Sequence, residues 1–278
     1  MKKLFFTIIA IAVVMTTACN KDEVRIIEDV ENDEVARMTM TTAKEGVVRF
    51  FLYGTGTAVI NWGDGTPKEW IVFVDGVRSF SHTYTISTVR TITITGDSIT
   101  RLCCGHNPGN SADIFDNQLI SLGVSSNPAL EYLECNGSQL TTLDVSKNTA
   151  LRTLFCTHNQ LSKFDVSKSP ALELLWCHNN QLTTLDVSKN PVLKYLLCNN
   201  NQLAEFDVSK NTELIWLDVT SNLLEAERLD ALFLTLHSNT VTDGTKTIHM
   251  LFNPGAATCN QSIAEEKGWG VNKIPASV

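Results

Sequence analysis

Cys135, Cys156, Cys177 and Cys198 lie 21 residues apart, and Val219 continues the series. The surrounding residues return with them. Leu151-x-x-Leu154-x-Cys156-x-x-Asn159-x-Leu161 recurs as Leu172, Leu175, Cys177, Asn180, Leu182 and again as Leu193, Leu196, Cys198, Asn201, Leu203. The period divides into unequal halves of one form, since Leu182-x-x-Leu185-x-Val187-x-x-Asn190 repeats the motif with valine in place of cysteine. The phase runs back through Leu119, Leu122, Val124 and Asn127, through Ala112, Ile114 and Asn117, to Ile99, Leu102, Cys104 and Asn107. Self-similarity at this period specifies a stack of identical coils, each contacting only its neighbours. Successive coils then sit about 4.8 Å apart, joined by parallel β ladders. A single coil cannot bury its apolar side, so the leucines of all coils form one column-built interior.

The pattern resembles the leucine-rich repeat in its nested 21-residue form, found in bacterial surface proteins, over residues 99–224. Asn159, Asn180, Asn201 and Asn222 are expected to form an amide ladder that satisfies turn backbone groups inside the stack. Ser138 interrupts it in one coil. A straight cysteine column does not supply tetrahedral zinc ligands. Nor do parallel Cβ atoms about 4.8 Å apart suit disulfides, which favour about 3.5–4.5 Å. The column is therefore expected to be small, buried apolar filler. Asp144, Asp165, Asp186 and Asp207 form a second column beside Lys147, Lys168, Lys189 and Lys210, expected to be a solvated, self-compensating face. His158 and His178 are expected at the surface.

Side chains alternate along a strand, so the residues flanking the second leucine of each motif point outward. Before it stand Tyr132, Thr153, Leu174, Tyr195 and Trp216; after it stand Glu134, Phe155, Trp176, Leu197 and Asp218. Tyr132, Phe155, Trp176, Tyr195 and Trp216 thus make an aromatic strip where a merely solvated face would be polar. Aromatics bury about 150–250 Å² each, and Tyr and Trp dominate interface energetics. The strip is read as a ligand-binding surface with Trp176 at its centre. The bland reading is β-propensity, or packing against the cap or a second copy.

Before the repeats, residues 37–97 read as short strands, at Val47–Tyr53, Ala58–Trp62, Trp70–Val74 and Val89–Thr95, punctuated by glycines. Trp62-Gly63-Asp64-Gly65-Thr66, His82-Thr83-Tyr84 and the closing Thr91–Thr95 resemble a PKD-type β-sandwich. That resemblance implies that the Gly-Asp-Gly turn and the His-Thr-Tyr segment brace the sandwich, with the domain acting as a spacer. After Leu224 the period stops. Glu225–Leu236 reads as a helix, Lys246–Phe252 as a strand and Cys259–Lys267 as a short helix: an α/β cap over the last coil, residues 225–278. The expected fold is mainly β: a PKD-like sandwich, then a leucine-rich-repeat solenoid over 98–224, then the cap.

The first nineteen residues read as a secretion signal. Lys2 and Lys3 precede the apolar run Leu4–Met15, which is too short to span a bilayer. Thr16-Thr17-Ala18-Cys19 resembles a lipobox, with Thr16 where leucine is usual, which implies lipidation of Cys19. Asn20-Lys21-Asp22-Glu23 resembles the signal that sends lipoproteins to the outer face in Bacteroidetes. Residues 20–36, rich in acids, read as a tether. The expected location is the outer membrane, held by the lipid and facing the exterior.

A net charge of −8 disfavours nucleic acid, whose phosphates demand a basic face. No Gly-x-Ser-x-Gly or His-Glu-x-x-His occurs. No enzyme, cofactor or metal is therefore expected. The expected role is a cell-surface binding protein for a protein or host-surface ligand. The alternative is a glycan-binding lipoprotein of a polysaccharide uptake system, with Asn136, Asn179, Asn199 and Asn200 as polar partners to the rings.

Overall fold

A computed structural model describes residues 37–73, 76–107, 110–241 and 245–272. The leader, Cys19 and the acidic tether lie outside the described residues. The chain opens with β1 (Arg37–Thr42), β2 (Gly46–Asn61), β3 (Glu69–Phe73), β4 (Val77–Tyr84) and β5 (Arg90–Cys103). All pair antiparallel: β2 with β3, β4 and β5, and β5 with β1. Two of the expected strands are one, because β2 runs through Gly54 and Gly56 and bends at register shifts between Tyr53 and Ala58 rather than ending there. Even-numbered residues of β2 point inward, so Val48, Phe50, Leu52, Ala58 and Ile60 are buried with Met38, Met40, Ile92 and Ile94.

Trp62 closes this core, its ring 5.5 Å from Phe50 and 4.9 Å from His82. Its Nε1 donates to Glu69 Oε1 at 2.7 Å, and the Tyr84 hydroxyl donates to its carbonyl at 2.6 Å. The following turn needs glycine at Gly63, where φ is +75° and any Cβ would strike the Thr91 carbonyl. Asp64 holds the turn by accepting from Thr66 N at 3.1 Å, Thr66 Oγ1 at 2.7 Å and His82 Nε2 at 2.6 Å. Partial burial raises the Asp64 carboxyl. The bonds from Thr66 and His82 outweigh this and lower it to about 2.

β5 then joins the repeats. Its residues Arg101–Cys103 pair in parallel with β9 (Tyr132–Glu134), after the hairpin β6 (His106–Asn107) and β7 (Asn110–Ile114), and after β8 (Leu119–Gly123), which returns to pair with β1. From there β9, β10 (Thr153–Phe155), β11 (Leu174–Trp176), β12 (Tyr195–Leu197) and β13 (Trp216–Asp218) form a parallel ladder in strict register. The described residues belong to one compact unit, mainly β with few helices. No helix among them is long and apolar enough to cross a membrane.

Inside each coil the two leucines of the motif and the cysteine are buried, as in Leu151, Leu154 and Cys156. Each such side chain contributes about 1.5–3 kcal/mol of burial. Cys104, Cys135, Cys156, Cys177 and Cys198 share one column that continues as Val219 and Met250, all with no exposed area. Valine and methionine in the same slot show that the thiols serve as volume. All are free, and burial pushes the Cys156 thiol up to about 12.

Both turns of each coil are hydrogen-bonded by asparagine. At the first, Asn180 Nδ2 donates to the carbonyls of Cys156 and Cys177 at 3.0 Å, and its Oδ1 accepts from Leu161 N at 3.0 Å. The residue before it is left-handed in every coil: Gly137, His158, Asn179, Asn200 and Ser221 have φ between 53° and 63°. At the second turn, Asn190 donates to Val166 O and Ser169 O, and Asn211 to Val187 O and Asn190 O. The aspartate column caps the approach to that turn, since Asp144, Asp165, Asp186 and Asp207 accept from Ser146, Ser167, Ser188 and Ser209 N at 2.7–2.9 Å.

The segment after Leu224 forms one more coil. Helix α1 (Ala226–Thr235) replaces its second half, burying Leu229, Leu232 and Phe233. β14 (Lys246–His249) then pairs in parallel with β13, and β15 (Trp269–Val271) with β14, after the short α2 (Ser262–Glu265). Phe252 and Asn253 repeat the left-handed and ladder positions. Lys246 is buried, and its ammonium donates to the carbonyls of Lys267, Asn239 and His237 at 2.6, 3.0 and 3.3 Å.

Candidate functional site

The ladder sets the outward residues in columns. Tyr132, Thr153, Leu174, Tyr195, Trp216 and Thr247 are paired in sequence along one; Glu134, Phe155, Trp176, Leu197, Asp218 and His249 along the next. The predicted strip residues therefore occupy two adjoining columns of a single sheet face. They do not share one environment.

At the N-terminal end the rings pack on each other. Tyr132 meets Phe155 edge-on at 5.6 Å, and Phe155 stacks on Trp176 at 4.2 Å. The Arg101 guanidinium lies 5.4 Å from the Tyr53 ring and 5.8 Å from Tyr132. Phe155 is 8% exposed and Glu134 fully buried, although both positions point away from the interior. The cause is the chain after β5. Gly105 passes over Glu134 so closely that a Cβ there would collide with the carboxylate and with the Asn136 backbone. Cys103, beside Glu134 in register, is pushed up to about 12 by burial and by that carboxylate.

Towards the C-terminal end the face opens. Trp176 is half-buried, whereas Tyr195 and Trp216 are 38% and 37% exposed. Trp216 stacks on His249 at 4.7 Å with the rings 28° apart, and Asn272 Nδ2 lies 2.8 Å from His249 Nδ1. Asp218, two residues beyond Trp216, accepts from Thr220 N at 2.9 Å through Oδ1. The third outward column holds Thr157, His178, Asn199 and Thr220. His178 meets His158 edge-on at 5.6 Å, and burial followed by that neighbour lowers its pKa, so it is neutral at pH 7. The Nε1 of Trp176 and the Nδ1 of His178 are buried without a hydrogen-bond partner.

Elsewhere, an open groove of about 530 Å³ lies between α1 and the second half of the coils, lined in part by Asp186, Phe206, Asp207 and Arg228. Arg152 and Lys194 both pair with Glu173, at 3.0 and 3.2 Å, along the edge before the strands. Among the described residues, no three metal-ligating side chains converge. Sequence reading identified the rings but not their graded exposure, and it did not identify His249 as the ring that seats Trp216.

The family profile for leucine-rich repeats (two copies) matches residues 149–190. No curated protein matches the chain. Among solved structures, the functional domain of InlJ from Listeria monocytogenes, described as including a cysteine ladder, shares 34% identity over 55% of this chain and 32% of its own, with a TM-score of 0.46. An internalin (InlF) from Listeria monocytogenes strain 4b F2365 shares 22% identity over 55% and 42%, with a TM-score of 0.40. The leucine-rich-repeat domain of APL1B shares 18% over 54% and 49%, with a TM-score of 0.38. The chain thus spans between a third and a half of those chains. With the profile match falling on coils whose leucines, asparagines and parallel strands repeat in register, the chain carries leucine-rich repeats.

Proposed function

We propose that the chain is a non-enzymatic cell-surface binding protein that engages a protein or host-surface ligand through the strand face of its repeats. The supporting observation is the aromatic strip, whose C-terminal members Tyr195 and Trp216 stay more than a third exposed in a fold that buries its other large rings in the repeats. Exposed Tyr and Trp on a rigid sheet are preorganised anchors that lose little entropy on binding. Within this reading Tyr132, Phe155 and Trp176 support the platform and Tyr195 and Trp216 contact the ligand.

The same proposal assigns residues 37–97 to a PKD-like spacer, residues 98–224 to the solenoid and residues 225–278 to its cap. It holds the protein at the outer membrane, facing outward, by lipid on Cys19, supported by the apolar run and small residues before that cysteine. The test is a pull-down from surface extracts run beside a glycan array, using the full chain and its Trp216→Ala variant. A protein captured by the wild type and lost from the variant is the expected result. Retention of every partner by the variant, or a glycan hit alone, overturns the protein-ligand reading.

A further inference from the structure

We infer that Tyr195, Trp216 and Asp218 receive a basic side chain, lysine or arginine, from a protein partner. This rests on the reading of the strand face as the binding surface and names the chemistry that face selects. Tyr195 and Trp216 are in register on adjoining strands, and both are exposed. His249 backs the Trp216 ring, fixing one side of the indole against protein and leaving the other to a ligand. Asp218 stands two residues along the same strand on the same face, half-buried, with one oxygen committed to Thr220 N.

From β11 to β14 the outward positions are Leu174, Trp176, His178, Tyr195, Leu197, Asn199, Trp216, Asp218, Thr220, Thr247 and His249. Among these described residues Asp218 is the single carboxylate, and there is no lysine or arginine. The negative face of an aromatic ring and a neighbouring carboxylate both attract a cation. The long apolar stem of lysine or arginine meanwhile covers the ring surface. An acidic partner would be repelled, and a purely apolar one would bury Asp218 without compensation. The chain's net charge of −8 acts in the same direction at long range, favouring encounter with a basic surface.

The test uses the ¹⁵N-labelled full chain and its indole N–H resonances, with Trp216 assigned by its absence in Trp216→Phe. Four blocked tripeptides are titrated: Gly-Arg-Gly, the same peptide with citrulline, which keeps the shape and loses the charge, Gly-Leu-Gly and Gly-Glu-Gly. The arginine peptide should move the Trp216 resonance with a Kd at least tenfold below that of the citrulline peptide. In Asp218→Asn, with the remaining spectrum unchanged, that advantage should fall below threefold. Equal responses to arginine and citrulline overturn the proposal. A larger response to leucine or glutamate overturns it while leaving the face a binding surface. Peptides that all leave Trp216 unmoved and perturb another surface overturn both readings.

Discussion

Asn222 and Asn253 donate to the same acceptor, the carbonyl of Val219, at 3.0 and 2.9 Å. The first ends the regular coils and the second belongs to the cap, so one oxygen joins the two. Asn253 also donates to Met250 O at 2.8 Å and accepts from Leu224 N at 3.0 Å. Asn253→Ala leaves these buried groups without partners and should destabilise the protein by about 3 kcal/mol. Hydrogen exchange should show residues 246–271 opening while the strands from Tyr132 to Leu197 keep their protection. Uniform loss of protection would show that the cap and the coils unfold as one unit.

The cysteine column should be silent in the native state. With its thiol pushed up to about 12 and no exposed area, Cys156 should resist thiol reagents until the fold is melted. Cys156→Ser should cost about 1–3 kcal/mol, since a buried hydroxyl needs a partner the column does not offer. Rapid alkylation of Cys156 in folded protein would contradict this.

Trp176 and Trp216 should separate packing from recognition. Trp176 stacks at 4.2 Å on a buried Phe155, so Trp176→Ala should lower stability by about 2 kcal/mol as well as weaken ligand binding. Trp216 is more open, and Trp216→Ala should weaken binding by about 2 kcal/mol with little change in Tm. Lys189→Ala, on the other half of a coil, should change neither. A Trp216→Ala protein that melts far below the wild type would show that its stacking on His249 is needed to hold the cap.

Acid should loosen the N-terminal module through Asp64. Its folded pKa, lowered to about 2, lies below the ordinary 3.8. The ionised form is therefore favoured by folding, and its stabilisation is complete above about pH 4. It fades as pH falls towards 2. Melting curves of the wild type and Asp64→Asn should differ most near neutrality and converge near pH 2. A constant gap across that range would place the effect in turn geometry rather than charge.

The repeats were legible because leucine at 151, 154, 172, 175, 193 and 196 states the coil directly, and a 21-residue period admits few other folds. The extra coil was not. Ile248, Met250 and Asn253 keep the motif, but Thr245 stands at its first leucine position and α1 intervenes, so the eye loses the phase. β4 was missed because, of its eight residues, only Phe80 and Tyr84 are buried, a pattern too sparse to announce a strand. Graded exposure along the strip was illegible for another reason. It depends on Gly105 crossing over Glu134, a contact between segments that local periodicity does not relate.

β5 belongs to two architectures at once: Arg90–Thr95 pairs with β1 in the antiparallel module, and Arg101–Cys103 with β9 in the first coil. No hinge interrupts it, so the module and the coils behave as one beam. Tension applied at Arg37 enters β1 along its length, where the rungs to β5 share the load in shear instead of parting one by one. It is then handed to the stack through the same strand. In a pulling experiment from the N-terminal side, the module and the first coil should yield in a single high-force event, before the later coils peel away at lower force.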